Sequence, residues 1–394
     1  VIASVLLDLL LLVALVSYVG YGYRNGLSGS LPVIVGVVVG VVAAFFLAPI
    51  AASLVPVPML RLAVTIAVAV GLVALGQGLG ARIGKRARSG IEKKGSLSRI
   101  DRVVGAVVTG IASALILSVV AFSVAQLGVP ALSRTIAGSS VLRAINALTP
   151  DPVEAWLAQV RGAAAQAGLP IISGALGNQA AVIPSIDAGS PALTAAGQSV
   201  VRITGNAYAC GQSQAGTGFV VSDDRVVTNA HVVAGVVEPV IEAPNGEVLG
   251  GTIVYFDSVD DLAVIKVPGL SAVPLSLGNT LAVGADAAVE GYPYGGPFTA
   301  GAADVMAVGS PKVDDIYHTR AAPREVYTLA TQVREGNSGG PLLSLDGTVT
   351  GVVFARSAED PNVGFAMTMA ELNPVAVQAA SLNAAVSSGR CING

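Results

Sequence analysis

The sequence predicts a chain of two unlike halves: an all-α membrane domain of four transmembrane helices, followed by an all-β domain of two β-barrels. Three observations carry this. Of the 394 residues, 53% are hydrophobic and only 12% are charged, which is more apolar than an ordinary water-soluble chain. The excess sits in the first third, in runs long enough to cross a bilayer. From about Ser199 onward the polarity is normal, and short β-branched runs alternate with Gly, Pro, Asn and Asp turns.

The apolar runs cover residues 3–23, 31–55, 60–83 and 103–127. Each is about 20 residues or more, enough for a hydrocarbon core of about 30 Å. The first is followed by three others and by no small-residue cleavage site, so it reads as a membrane span and not as a removed leader. The loop between the third and fourth runs holds Arg82, Lys85, Arg86, Arg88, Lys93, Lys94, Arg99 and Arg102. Short basic loops stay in the cytoplasm, so this loop and the one with Arg24 are expected inside. The N-terminus and everything after Leu127 are then outside. The net charge of −3 gives no bulk attraction to nucleic acid, and none is expected as a partner. The partner of this half is the lipid bilayer.

Gly36-x-x-x-Gly40 and Gly76-x-x-x-Gly80 allow close helix approach, either within one bundle or between two copies. Asp8 is the sole acid inside a run. An intramembrane acid is a candidate functional group, and a helix-end role is the alternative.

Residues 128–198 read as a linker rich in Ala, Ser, Pro and Gly. A short helix is expected over 153–167, and 172–196 is loop-like. An exposed stalk of this kind is where self-cleavage, in cis or in trans, is expected. The domains are thus 1–127, 128–198 and 199–394. In the last, Val200 to Ile203 reads as a strand and Val264 to Val267 as another. Hairpins are expected about Ser222-Asp223-Asp224 and about Asp346-Gly347.

Gly336-Asn337-Ser338-Gly339-Gly340-Pro341 is the most informative stretch. A serine between glycines belongs in a tight loop whose backbone N–H groups converge. The N–H groups of Gly336 and Ser338 would face an oxygen that becomes negative in acyl transfer. A serine hydroxyl needs a base, and Thr228-Asn229-Ala230-His231 supplies one upstream. The other histidine, His318, sits in the polar stretch Asp314-Asp315-Ile316-Tyr317-His318, a surface loop. An imidazolium needs a carboxylate, and Asp260 and Asp261 both precede Leu262-Ala263-Val264. Neighbours on a strand point to opposite faces, so only one serves, and the alternation that follows favours Asp261. The order His231, Asp261, Ser338 is that of chymotrypsin-type enzymes.

These blocks resemble those of the trypsin-like serine proteases, in particular the bacterial periplasmic group. Asp8-Leu9-Leu10 with Gly22-Tyr23-Arg24-Asn25-Gly26-Leu27 resembles the opening of the colicin V production protein family of four-span membrane proteins. Together the halves resemble the mycobacterial membrane-anchored serine proteases of acid resistance. The resemblance implies a double β-barrel of chymotrypsin type and a serine endopeptidase (a hydrolase) with His231, Asp261 and Ser338 as catalytic residues. It also implies a multi-pass inner-membrane protein with a periplasmic protease domain, periplasmic or cell-wall protein substrates, and a role in stress response and acid resistance. No cofactor is expected. Asn337 stands where digestive relatives carry an Asp that pairs with a new N-terminus, so activation by N-terminal insertion is not expected. Gln332, six residues before Ser338, is neutral where an acid would select Arg or Lys, which favours small or medium apolar substrate side chains.

Cys210 and Cys391 would form one disulfide in an oxidising compartment, worth about 5 kcal/mol in the chain-entropy view; two free buried thiols are the alternative. Neither has a nearby His or second Cys, so no metal site is expected. Two further functions fit the same residues: a membrane scaffold whose outer domain binds peptides without cutting them, and an esterase on the same barrel.

Overall fold

The computed structural model of the chain describes residues 2–53, 58–91, 97–125, 181–207 and 212–392, with shorter pieces at 135–136, 138–150, 152–153, 157 and 169–172. It divides into two compact units, residues 2–120 with 140–145, and 121–139 with 146–394.

In the first unit the four predicted apolar runs fold into three helices: α1 (Ile2–Ser53), α2 (Pro58–Ile91) and α3 (Leu97–Ala125). Three helices are long and apolar enough to cross a membrane, over Ala3–Ala44, Ala67–Arg86 and Arg99–Ala121. The expected loop after residue 23 is instead helical on both sides of a single interruption at Gly26 (φ 70°, ψ 174°). Local bonds explain why helix persists through this polar stretch. Asn25 Nδ2 donates to the Tyr21 carbonyl, and Ser30 Oγ to the Gly26 carbonyl. Ala3–Ala44 rises about 63 Å at 1.5 Å per residue, twice the thickness of one hydrocarbon core.

The two small-residue motifs meet each other within the chain. A Cβ on Gly36 would overlap the Gly76 carbonyl, and one on Gly80 the Pro32 carbonyl. Gly22 meets Gly105 and Thr109 of α3 in the same way. Asp8 accepts from the backbone N–H groups of Ser140 (3.1 Å) and Val141 (3.2 Å), so it serves the N-terminus of the helix Ser140–Leu148.

The second unit is built on two seven-stranded sheets. The first has the order β6 (Val248–Gly250), β5 (Val240–Glu242), β2 (Val200–Ala207), β3 (Gln212–Ser222), β4 (Arg225–Thr228), β8 (Leu262–Lys266), β7 (Thr252–Asp257). Its two edges, β6 and β7, do not pair among the described residues, so a closed first barrel gives way to an open half-barrel. The chain itself turns from one edge to the other at Gly251, where a Cβ would strike Ile265 and Ile241.

The second sheet runs β1 (Ile171–Ile172), β15 (Val349–Ser357), β14 (Pro341–Ser344), β9 (Asp286–Gly291), β10 (Thr299–Gly309), β13 (Val326–Ala330), β16 (Val363–Thr368). A β15–β16 ladder closes six of these strands into a barrel, and β1 lies outside it. The short strands β11 (Lys312–Asp314) and β12 (Ala321–Pro323) form a separate hairpin. The predicted hairpins are β3–β4 and β14–β15. Val201, Ile203, Val220, Val226 and Ile265 fill the half-barrel, and Val289, Val305, Leu329, Leu342 and Ala366 fill the barrel.

The stretch 172–196 is not loop throughout. Pro191–Gly197 is a helix, started by Pro at its first turn and by Ser190 Oγ accepting from Leu193 N. Its Leu193 and Ala196 are buried in the core. Most of the helix predicted over 153–167 lies outside the described residues.

Candidate active site

Asp261 and His231 come together at the rim of the half-barrel. Strand β4 ends at Thr228 and is followed at once by the short helix Ala230–Val233, which carries His231; Asp261 immediately precedes β8, the partner of β4. His231 Nδ1 lies 2.8 Å from Asp261 Oδ2, and the backbone N–H of His231 donates to Asp261 Oδ1 at 2.9 Å. Asn229 Nδ2 donates to the Asp261 carbonyl at 2.9 Å. The histidine and the residue two before it are thus both latched to one aspartate. Asp261 is not on a strand: its φ of +55° puts it in a left-handed turn, a conformation Asp tolerates better than most residues. It is buried, whereas Asp260 is half-exposed and donates its N–H to Asp257 Oδ1. Burial first, and then the charge of Asp257, push the Asp260 carboxyl above its usual range.

The 336–340 loop rests on the same segment. Ser338 O accepts from Thr217 N, and a Cβ on Gly339 would strike Thr228 Oγ1 and Asn229 N. Ser338 is buried, and its Oγ has no hydrogen-bond partner among the described residues. Gly336 has φ +90°, and a Cβ there would overlap the Tyr292 carbonyl, so only glycine fits. The Glu335 carbonyl accepts from Tyr294 N. Across a trans peptide the N–H of Gly336 therefore points the opposite way. The Asn337 carbonyl accepts from Gly340 N at 2.9 Å, which orients the N–H of Ser338 by the same rule. Neither N–H takes an acceptor among the described residues, the condition for a hole that receives an anion.

The match between this geometry and known proteins is extensive. The model of the trypsin-like peptidase domain matches residues 216–352, and that of colicin V production protein matches residues 7–150. Serine protease Rv3671c of Mycobacterium tuberculosis is 33% identical over 385 residues, covering 94% of this chain and 95% of its own. The chain belongs to the family of this serine protease.

The crystal structure of the active form of Rv3671c protease from M. tuberculosis superposes with a TM-score of 0.52 at 36% identity, over 55% of this chain and 98% of that one. A probable periplasmic DegP-like serine endoprotease of Halomonas elongata is 35% identical over 39% of this chain and 32% of its own length. The chain is therefore a serine protease with a trypsin-like peptidase domain and three candidate membrane helices.

Other residues singled out in the sequence are placed as follows, His318 on the surface as expected. Gln332 is exposed, its amide shared between Asn362 (3.0 Å) and Arg334 (2.9 Å), and the buried side chain beside it is Val333. His318 is on the surface, 3.6 Å from Asp314. Cys391 Sγ and Ala207 Cβ both lie beside Gly235, whereas Cys210 is outside the described residues. No metal-binding group of His, Cys, Asp or Glu occurs among the described residues.

Two residues escaped sequence reasoning. Thr217 Oγ1 donates to the Gly336 carbonyl (2.6 Å) and accepts from Tyr292 N (3.0 Å), bracing the glycine loop from beneath. Its only sequence signal is its place between Gly216 and Gly218. Glu290, on β9, is fully buried with neither carboxylate oxygen hydrogen-bonded among the described residues, and burial pushes its carboxyl up to about 7. Its carboxylate and the Phe298 ring both lie beside Gly197. Burial likewise pushes the Tyr292 phenol up to about 12.

Proposed function

We propose that this protease is a membrane-anchored, extracytoplasmic endopeptidase in which Ser338 is the nucleophile, His231 the general base and Asp261 the orienting acid. The observation that carries the reading is the double hydrogen bond from His231 to Asp261 beside the 336–340 loop. Ser338 Oγ attacks the peptide carbonyl carbon while His231 takes its proton. The oxygen that becomes negative is received by the N–H groups of Gly336 and Ser338. Collapse breaks the C–N bond, and His231 returns the proton to the departing amine. Water then repeats the sequence on the ester and frees Ser338.

The anchor is read as 1–127 with four crossings, α1 supplying two of them on either side of Gly26, then a linker over 128–198 and the protease domain over 199–394. Arg82, Lys85 and Arg86 at the end of α2 favour a cytoplasmic location for that end, with the protease domain on the periplasmic side. Substrates are then periplasmic or cell-wall proteins, with an envelope-stress or acid-resistance role and self-cleavage in the linker. Cys391 and Ala207, the latter three residues before Cys210, both lie beside Gly235, which supports a Cys210–Cys391 disulfide.

The test is hydrolysis of casein and of a short-chain ester by the full chain in detergent, with Ser338→Ala as control. Casein cleavage that vanishes in the alanine form supports the endopeptidase. Ester cleavage alone favours the esterase, and neither activity in a folded chain favours a binding module.

A further inference from the structure

The strand edge that leads away from Ser338 is already occupied. Val353 exchanges both its backbone hydrogen bonds with the nucleophile loop: Gly339 N donates to its carbonyl (2.8 Å), and its own N–H donates to the Gly340 carbonyl (2.9 Å). Three residues further along β15, about 10 Å at strand rise, the Arg356 N–H donates to the Pro170 carbonyl (3.1 Å), and the Ala358 N–H to the Ile172 carbonyl (3.1 Å).

Arg356 is paired on its other side with Gly364 of β16. The segment 170–172 therefore lies on the same edge of β15 as β14 and the nucleophile loop. It runs parallel to β15, so Leu169 is at the end nearer Ser338. Leu169 is buried in the apolar cluster that includes Val333, Val353 and Leu342. An exposed strand edge with an apolar site beside it is what an extended peptide uses when it adds to a sheet.

We infer that residues 169–172 are a built-in occupant of the substrate cleft: the linker pairs with β15 and buries Leu169 where an apolar side chain of an extended substrate would lie, so the chain holds its own protease in check. The inference rests on the endopeptidase reading of Ser338. The segment is short. A two-residue parallel ladder, a bond to Ala358 and one buried leucine make a hold that a protein substrate with a longer matching stretch can displace. It is also covalently attached, so it competes at high effective concentration despite weak contacts.

The test replaces Leu169, Pro170, Ile171 and Ile172 by Gly-Ser-Gly-Ser in the full chain in detergent. Hydrolysis of a fluorogenic apolar peptide should show a KM at least about fivefold lower with kcat unchanged, and a synthetic peptide of residues 167–174 should restore the higher KM competitively. Equal KM values in the two chains overturn the proposal.

A second arm needs no activity. In the Ser338→Ala background, the same peptide carrying a fluorophore should bind the replaced chain and not the native one, read by anisotropy. Binding to both alike, or to neither, overturns it. If the binding arm separates the two chains while neither Ser338 form cleaves anything, the occupied edge stands and the endopeptidase reading falls.

Discussion

Asp261 holds His231 at two points, taking the backbone N–H at 2.9 Å and the ring Nδ1 at 2.8 Å with its two different oxygens. One contact fixes where the short helix starts. The other fixes which way the ring faces and which nitrogen carries the proton. Replacing Asp261 by Asn keeps an acceptor for one contact and loses the charge that stabilises an imidazolium. Hydrolysis should fall about 10,000-fold in kcat with a folded chain, as measured by steady-state kinetics alongside circular dichroism.

Gly336 adopts φ +90° against the Tyr292 carbonyl. Gly336→Ala adds a Cβ where backbone already sits and moves the N–H assigned to the proposed oxyanion hole. The expected loss is about 100- to 1,000-fold in kcat, the size associated with one donor to an oxyanion. An unchanged kcat in the alanine variant would remove Gly336 from the hole.

Thr217 links the Gly336 carbonyl to Tyr292 N through one hydroxyl. Thr217→Val leaves a buried N–H and a buried carbonyl unpaired, at about 1–3 kcal/mol each. Both thermal stability and kcat should fall. Thr217→Ser, which keeps the hydroxyl, should restore kcat. If Ser and Val behave alike, the hydroxyl is not the brace.

Glu290 gives the protease a pH dependence of defined sign. Its folded pKa is raised from 4.5 to about 7, so the folded state holds the proton more tightly than the unfolded one. The stability from this group is full below about pH 4.5 and is lost as the pH rises through about 7, by about 3 kcal/mol. The urea midpoint should drop between pH 5 and pH 8 in the parent chain. That drop should be smaller in Glu290→Gln, whose side chain does not titrate.

The three blocks around His231, Asp261 and Ser338 were legible because each is a short sequence whose residue types are set by chemistry and not by packing. The strands were legible from β-branched runs cut by turns. The strand argument favours Asp261 over Asp260, yet Asp261 meets His231 from a turn at φ +55° and not from a strand. The apolar runs were legible as membrane-length segments, but their number was not. The polar residues after Tyr23 satisfy their own helix through Asn25 and Ser30, and nothing in their types distinguishes that from a loop. Leu169-Pro170-Ile171-Ile172 carries no motif at all. Its place on β15 depends on which edge the barrel leaves open, a property of the whole sheet.

The bond from Asp8 to the first two N–H groups of the helix Ser140–Leu148 joins the beginning of α1 to a segment that follows α3. The first compact unit is therefore fastened from the start of α1 to a stretch of chain that comes 132 residues later. Without the Asp8 carboxylate those two N–H groups lose their acceptor, and α1 loses its tie to the far end of the unit.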